Sequence, residues 1–454
     1  MSFKNLLEPV VESGIKNTNY FEGRLLSARD LNDQENANRS HRKQLGKALG
    51  HGVVEGLEVS IESIGAEGTQ PVVRVQKGLA INLDGDMVEI SQDYVDIQLS
   101  RARDEFTVEG AGFKNCRSLP SETLVPSGAG LYILVMSPAS AYTEFAPKSG
   151  LQKKGIANNC GRRYLVEGAQ FRLVKFDPTL MPDISESTRS LLENELLASS
   201  NPVSLGDLSG LSLMRNLVAH VCFGSDGTVS SATDPNFVKK DSTAVGLDAL
   251  VGIEEGLSTC DTPIAMLYWN LDGIAYVDNW AVKRKASYRD SAPYSIPSFT
   301  RHSYSRADES RLQFQEHLDF IQSQLPSTFD FRLVDYFRFL PPVGYLPVQT
   351  NSLTASLGFD EDSVFEDVAI RRSVFVEAAA LTPITQAALT YWPIDLQSEE
   401  FMWLYKTREN AQQAAENPAS TLQEYVVFTS GHAPYYGNAR FNLNKWDYSN
   451  YGVI

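Results

Sequence analysis

Few residues of this sequence have both the types and the spacing that chemistry requires. Its six histidines form no HExxH pair. The closest histidine–cysteine pair, His220 and Cys222, falls two residues apart, and a helix would turn these two side chains to different faces. We therefore interpret both as ordinary buried or surface residues and not as metal ligands.

An acidic segment offers the oxygen atoms that Ca²⁺ prefers. It comprises Asp360, Glu361 and Asp362, followed by Glu366 and Asp367. The spacing is not that of an EF-hand loop, so the pattern favours a solvated acidic loop.

Motifs for nucleophiles and phosphates are missing. The sequence contains no GxSxG, no Walker A and no GxGxxG pattern. A glycosidase carboxylate pair has no sequence spacing that would identify it among 56 acidic residues. The sequence thus predicts no cofactor, no metal and no enzymatic activity, and a polysaccharide hydrolase stays an open alternative.

The composition of the chain excludes some classes of binding partner. A net charge of −16 repels phosphate backbones, so nucleic acid is not expected. No run of apolar residues is long enough to span a bilayer, and no signal peptide is evident. We expect a protein that is not membrane-embedded and is cytoplasmic or part of a phage-tail-like particle. Its four cysteines form no CxxC pair and are expected to be plain thiols.

The element that would position a functional surface lies near the start of the chain. Ser27 and Asp30 predict the N-terminus of a polar helix over 28–49, which Gly50 would end. Such a helix bridges solvent or packs against partners. Its few apolar positions are Leu31, Ala37, Leu45, Ala48 and Leu49.

The same helix carries the one local basic run of this acidic chain. That run predicts either a solvated face or a docking site for an acidic neighbour in an assembly. It consists of Arg39, His41, Arg42, Lys43 and Lys47.

Alternating apolar residues over 53–176 predict a β-sandwich or barrel. They include a strand from Val53 to Ile61 with a bulge at Gly56, and a hairpin turn at 84–86. Residues 183–223 read as helical, 264–282 as a β-hairpin, and 286–304 as a linker.

A helix over 306–325 has an apolar side that would pack into a bundle or line a trimer axis. Beyond it, proline-rich residues 337–348 predict a sheet-edge segment. Thr382 and Pro383 predict the start of another helix. Segments 401–406 and 425–429 are typical of buried strands. An interface patch is one alternative for the aromatic tail of Trp446, Tyr435, Tyr436, Tyr448 and Tyr451.

The predicted fold class is α+β, mainly β. It comprises an N-terminal β-sandwich with its leading helix (1–180), a helical neck with the inserted hairpin 264–282 (181–330), and a mixed β-rich head (331–454).

Residues 19–90 resemble the start of the TssK family, the baseplate subunits of type VI secretion systems. An aromatic-Glu-Gly entry precedes a polar helix with glutamine, a Gly-Val-Val turn follows it, and 78–90 carries a turn with Leu83 where proline is expected. The chain is more similar to TssK-like proteins of extracellular contractile injection systems and phage-like tails. The matching positions are Phe21, Glu22, Gly23, Leu25, Leu26, Asp30, Leu31, Gln34, Gly52, Val53 and Val54.

This resemblance implies a shoulder related to phage receptor-binding proteins, a helical neck and a distal head, assembled as a homotrimer. The shoulder would dock on baseplate wedge proteins, and the head would face a fibre, a receptor or a membrane complex. The expected interface residues are Phe21, Glu22, Gly23, Leu26, Asp30, Gln34, Arg39, Arg42, Lys43, Gly52, Val53 and Val54.

The sequence therefore predicts a structural baseplate or tail-tip component. A receptor- or carbohydrate-binding module is the alternative that the aromatic C-terminal region favours, and the hydrolase is the second alternative. Replacing Arg39, Arg42 and Lys43 by Glu is expected to abolish assembly and leave the fold intact.

Overall fold

The computed structural model describes residues 14–64, 71–99, 114–115, 130–147, 160–181, 184–198, 203–204, 206–224, 246–253, 256–270, 272–284, 304–325, 331–348, 358–371, 373–398, 401–409 and 424–433. Within these residues strand exceeds helix, 38% to 34%, so the chain is mixed α and β with more strand than helix, as predicted. Residues 286–303 of the predicted linker and the aromatic tail lie outside the described residues.

The helices in these ranges are α1 (Ala28–Leu49), α2 (Glu186–Ser190), α3 (Leu208–Phe223), α4 (Tyr304–Gln324), α5 (Leu333–Tyr336), α6 (Glu361–Val364) and α7 (Ala378–Ala388). Short 3-10 turns occupy Pro178–Leu180 and Gly246–Leu250, and a π-helical segment occupies Leu191–Leu196.

The strands are β1 (Gly52–Gly56), β2 (Val59–Ser63), β3 (Val72–Ile81), β4 (Met87–Gln98), β5 (Lys114–Asn115), β6 (Gly130–Pro147), β7 (Cys160–Lys175), β8 (Thr262–Asn270), β9 (Gly273–Asp278), β10 (Phe339–Leu340), β11 (Val343–Val348), β12 (Val374–Val376), β13 (Ile394–Asp395), β14 (Trp403–Thr407) and β15 (Glu424–Thr429).

The first sheet is built around β3. Strand β4 pairs along one edge of β3, and β1 and β2 follow each other along the other edge. The single strand predicted from Val53 to Ile61 is therefore divided in two. Gly56 and Leu57 break the strand, since their φ angles are +64° and +58°. The bulge predicted at Gly56 lies instead at Val54, where the register of β1 against β3 shifts.

The second sheet is built around β6. Strand β7 pairs along one edge of β6, β8 and β5 pair along the other, and β9 pairs with β8. The predicted hairpin at 264–282 forms, but it belongs to this sheet and is not an insertion within a helical segment. Every residue from Ile264 to Asn270 is buried, and β8 pairs with β6 along one edge and with β9 along the other.

Strand β6 separates two hydrophobic cores. Its six residues from Leu131 to Met136 are each at most 2% exposed. Alternate side chains of a strand point to opposite faces. Leu131, Ile133 and Val135 thus join a core with α3. Tyr132, Leu134 and Met136 join the core between the two sheets.

The C-terminal sheet has the order β11-β15-β14-β12, with β12 and β14 parallel. Strand β11 lies at its edge, as predicted from the prolines of this segment. The predicted helix start at Thr382 and Pro383 is wrong, because α7 begins at Ala378 and contains Pro383. Alanine favours helix strongly, which explains the earlier start.

Helix α4 is an internal element of the fold. Phe314, Leu318 and Ile321 lie in the C-terminal core, and Gln313 and His317 are fully buried. The interpretation that its apolar side lines a trimer axis is therefore wrong, since that side packs within the chain.

Polar groups of three elements meet inside this region. Arg215 of α3 donates from Nε to Oδ2 of Asp278 on β9 over 2.7 Å, and from Nη2 to Oε1 of Glu316 on α4 over 3.1 Å. Gln313 donates to the same Asp278 oxygen over 2.8 Å. A buried pair whose donors and acceptors are matched in this way fixes the relative placement of its elements.

His317 lies beside this cluster as a neutral ring. Neither of its ring nitrogens has a hydrogen-bond partner in the described part of the chain. Burial, with the nearby Arg215 charge, lowers the pKa of His317 well below its ordinary value. Burial also raises the pKa of Glu316.

The neutral His317 predicts an acid-sensitive fold. Unfolded histidine takes up a proton below about pH 6.5, whereas the folded ring does not, so stability falls as the pH drops from about 6.5. Glu316 acts in the opposite sense, since its raised pKa favours the folded state at low pH. His317→Leu is expected to reduce the loss of melting temperature between about pH 7 and about pH 5.

Thermal unfolding across this pH range measures the effect. His41→Gln, at an exposed position of α1, is the matched control and should behave as the parent protein does. An unchanged pH slope in His317→Leu would contradict the assignment.

Candidate functional site

Helix α1 lies on the outside of the molecule. Of its 22 residues only Ala37 and Gly46 are buried. At 1.5 Å per residue it is about 33 Å long. A helix this exposed derives little stability from packing within its own chain.

The N-terminus of α1 is fixed by the predicted cap. The Asp30 backbone N–H donates to Ser27 Oγ, and the Ser27 backbone N–H donates to the Asp30 carboxylate over 2.9 Å. The hydrogen bonds from Ser27, aided by Arg24, lower the pKa of Asp30 to about 2. Thr18 donates to Gln34 Oε1 over 3.2 Å and to the Asp30 carbonyl over 2.9 Å. Asp30 and Gln34, expected at an interface, therefore attach the preceding segment to the helix.

The C-terminal half of α1 touches the turn between β3 and β4 through two glycines. A Cβ atom on Gly46 would lie 2.2 Å from the Gly85 carbonyl oxygen, and one on Gly85 would lie 2.1 Å from the Lys43 carbonyl oxygen. Only glycine allows this backbone approach. The predicted turn at 84–86 is present between β3 and β4, and α1 packs against its backbone.

The basic run faces an acidic group of its own chain. Lys43 Nζ lies 2.7 Å from Asp86 Oδ2, and Arg39 Nη2 lies 3.7 Å from Asp86 Oδ1. Arg42 pairs with Glu35 on the exposed helix surface. Two of the three cations expected to dock on a neighbour thus hold α1 to the turn, and reversing them would also disturb the fold.

Only one of the three residues of the Gly-Val-Val turn is exposed. Gly52 and Val53 are buried, and a Cβ atom on Gly52 would lie 2.6 Å from the Lys283 carbonyl oxygen. The Val53 backbone N–H donates to that same oxygen over 2.9 Å. The interface prediction is therefore wrong for these two residues, whereas Val54 is 41% exposed.

Apolar side chains remain exposed along and before α1. Exposed residues of the predicted interface include Phe21, Glu22, Gly23, Leu26 and Arg42. The sequence prediction missed several others, although leucines on a polar helix signal an unfilled contact. The exposed apolar set, called here the α1 surface, is Tyr20, Phe21, Leu25, Leu26, Leu31, Leu45 and Leu49.

A seven-residue spacing connects part of the α1 surface. Leu31, Asn38 and Leu45 recur at that interval, which places them on one stripe of a helix. Gln34 donates to Asn38 Oδ1 over 3.3 Å within the stripe. Leucines at equivalent heptad positions supply one of the two apolar rows through which a helix packs against another helix.

A second projecting element was not predicted. Strands β6 and β7 pair with each other to their ends, through Pro147 and Cys160. No other described strand pairs with residues 141–147 or 160–166, called here the β-arm. Its exposed apolar side chains are Tyr142, Phe145, Tyr164, Leu165 and Val166.

The acidic segment 360–367 has structural partners. Asp360 caps α6, Glu361 pairs with Lys406 over 2.5 Å, and Asp367 accepts from Arg332 over 3.0 Å. Four of the five acidic residues are exposed, as expected of a solvated segment, and part of the segment forms the short helix α6.

The histidine–cysteine pair is packed in the core. The His220 ring lies 5.2 Å from the Phe339 ring, and burial raises the pKa of the Cys222 thiol. Cys260 is disulfide-bonded, which corrects the expectation of a plain thiol there, since linear spacing does not reveal cysteines that the fold brings together. Among the described residues no group of three or more His, Cys, Asp or Glu side chains is placed to hold a metal ion.

Comparison with known proteins adds no assignment. No protein-family model matches the chain, and no curated protein matches its sequence. Among the described residues, no helix has the length and apolar character needed to cross a membrane.

The glycine contact predicts an unusual response to alanine. Gly46→Ala should favour an isolated helix by about 0.5–1 kcal/mol. In this protein the added methyl group forces α1 away from Gly85, so hydrogen exchange of the α1 amides should accelerate. Gln44→Ala, at an exposed position of the same helix, is the control and should not accelerate exchange. Equal exchange in both variants would show that the contact does not hold the helix.

A double-mutant cycle tests the ion pair. Lys43→Ala and Asp86→Ala should show a coupling energy below about 1 kcal/mol, since Lys43 is one-third exposed, and the coupling should weaken in high salt. The same cycle with Arg42→Ala should show none, because Arg42 faces Glu35 instead. Equal coupling for both cations, from chemical denaturation, would count against this contact.

Proposed function

We propose that this protein is a structural subunit of a contractile injection system, a baseplate or tail-tip component that links wedge proteins to a fibre, a receptor or a membrane complex. The observation that carries the proposal is that two elements, α1 and the β-arm, have several apolar side chains exposed. Several exposed apolar side chains grouped on one element are a feature of surfaces that contact other proteins.

The proposed partner of α1 is a second copy of the same chain. Leu31 and Leu45 would form the apolar positions of a helix–helix seam, and Asn38 between them would set its register. Polar residues at such positions reduce stability but specify the number of helices that associate. A homotrimer is the assembly that the sequence resemblance implies.

The β-arm supports an assembly role independently. A two-stranded ribbon is only marginally stable in water without packing. Its strand edges pair with no other described strand and can extend the sheet of a neighbouring subunit, and its aromatic side chains can fill pockets there. Exposed rings such as Tyr142 and Phe145 also belong to the residue types enriched in interfaces.

The resemblance to TssK-like proteins covers residues 19–90, which contain α1, β1 to β3 and the first four residues of β4. The shoulder, neck and head arrangement, and docking of the shoulder on the wedge, are part of the proposal. The proposal also includes a location in the cytoplasm or in a phage-tail-like particle. The disulfide at Cys260 favours the particle, because such bonds persist in oxidising surroundings.

The hydrolase alternative has little support from the groove beside α1. This groove, of about 790 Å³, contains Asp30 and Asp33 among its lining residues. A glycosidase needs one carboxyl group with a raised pKa as its general acid. Asp30 is the opposite, since its bonds to Ser27 hold its pKa at about 2.

Mass photometry of the parent protein and of a Leu31→Gln/Leu45→Gln variant tests the proposal. We expect the parent at about three times the chain mass of 50.2 kDa and the variant at the single-chain mass, because the seam loses its apolar positions. The parent should also co-purify with wedge or fibre proteins encoded beside it.

Met87→Gln, at an exposed apolar position on β4, is the matched control and should remain trimeric. Circular dichroism checks that all variants are folded. A parent protein that is monomeric at micromolar concentration and binds no wedge or fibre protein would overturn the proposal.

A further inference from the structure

An aromatic cavity of about 420 Å³ opens beside the C-terminal sheet. Volumes of this size accommodate small-molecule ligands. The cavity lies where the residues before and at the start of β14 meet the end of β15 and the segment after α7. Its lining residues are Arg371, Tyr391, Trp392, Phe401, Trp403 and Ser430.

Arg371 supplies the positive charge of the cavity. Its guanidinium carbon lies 4.1 Å from the centre of the Phe401 ring and 6.0 Å from that of Trp403. No described carboxylate forms an ion pair with Arg371, unlike Arg338, which pairs with Asp395 over 2.7 Å. A guanidinium stacked on a ring keeps its N–H groups directed outward in its own plane, where they can bind a carboxylate in bidentate fashion.

Ser430 supplies an unused hydrogen-bonding group. Its Oγ atom is buried and has no hydrogen-bond partner in the described residues. Its backbone N–H donates to the Pro342 carbonyl over 3.0 Å, so the residue is held in place. A buried hydroxyl without a partner is unfavourable, and a small shift of the side chains that cover it would let a ligand hydroxyl pair with it.

The aromatic walls are fixed before any ligand arrives. The Tyr391 hydroxyl donates to the His432 carbonyl over 2.8 Å, and the His432 ring lies 4.8 Å from the Trp403 ring. A Cβ atom on Gly431 would lie 3.2 Å from the Tyr391 ring, so that ring rests against the backbone. A site whose walls are already ordered loses little entropy on binding.

We propose that this cavity binds a saccharide unit that carries a carboxylate, such as a uronic acid. Tyr391, Trp392 and Trp403 provide flat faces for the C–H side of a sugar ring. Arg371 provides the fork for the carboxylate, and the Ser430 hydroxyl pairs with a ring hydroxyl. This inference goes beyond the proposed function, which rests on α1 and the β-arm.

Other ligand classes fit the cavity less well. A quaternary ammonium group would enter an aromatic cage, but Arg371 would repel it. A nucleic acid needs several cations along its backbone, whereas this cavity offers one in a chain of net charge −16. A purely apolar ligand would leave both Arg371 and the Ser430 hydroxyl without partners.

Titration calorimetry of the full chain tests the inference with oligosaccharides of galacturonic acid and with their neutral galactose counterparts. The acidic series should bind at least about tenfold more tightly, because only it engages the Arg371 fork. Arg371→Gln should remove this difference, and Ser430→Ala should weaken binding of both series. Free galacturonic acid distinguishes recognition of a single unit from recognition of a polymer.

Arg74→Gln is the matched control, since Arg74 also lies over an exposed ring, that of Tyr94, at 4.1 Å. It should leave binding unchanged. Equal affinity for acidic and neutral series, or parent-like binding by Arg371→Gln, would overturn the inference, as would an absence of binding to any of these saccharides. Mass photometry of Arg371→Gln should show the parent oligomer, so the cavity and the assembly surfaces are tested separately.

Discussion

The described fold depends on the burial of both faces of β6. A strand with one wet face can slip by two residues and still cover its core, but six consecutive buried residues from Leu131 to Met136 leave no polar side to expose. One set of alternate side chains requires α3 above the sheet, and the other set requires the first sheet below it. The central strand thus specifies a three-layer arrangement, and segments distant in sequence, such as β8, are drawn to it.

Helix α3 connects this arrangement to the C-terminal part of the chain through the small sheet in which β10 pairs with β13. Arg215 binds the β9 carboxylate of Asp278, while Asn216, the next residue, binds both backbone groups of Phe339 at 2.8 and 2.9 Å. Neighbouring residues on α3 therefore bind two different sheets, the one that contains β9 and the one that contains β10. These bonds are directional and buried, so they set orientation more strictly than apolar packing alone. The aromatic cavity is thereby held on the same framework as the projecting elements.

Local patterns allowed much of the fold to be predicted. The Ser27 cap, the span of α1, the buried run at 131–135 and the edge position of β11 all follow from short-range rules. What could not be predicted depends on distant partners. The hairpin at 264–282 looked self-contained, yet its pairing with β6 is a contact across more than a hundred residues. The basic run of α1 had no visible partner because Asp86 is brought to it only by folding. The cavity escaped notice for the same reason, as Arg371, Trp403 and Ser430 come from separate segments.

The two-glycine contact between α1 and the β3–β4 turn also has a mechanical consequence. Gly46 lies near the C-terminal end of α1, so the helix can pivot about this contact and its N-terminal end moves furthest. From Gly46 to Ala28 the helix extends about 27 Å, and a tilt of about 5° would displace the far end by about 2 Å. Glycines offer no interlocking side chains to resist such a tilt, whereas the Asp86 ion pairs limit it elastically. In the proposed assembly, a helix attached in this way would accommodate small misfits between neighbouring subunits without straining the cores of this chain.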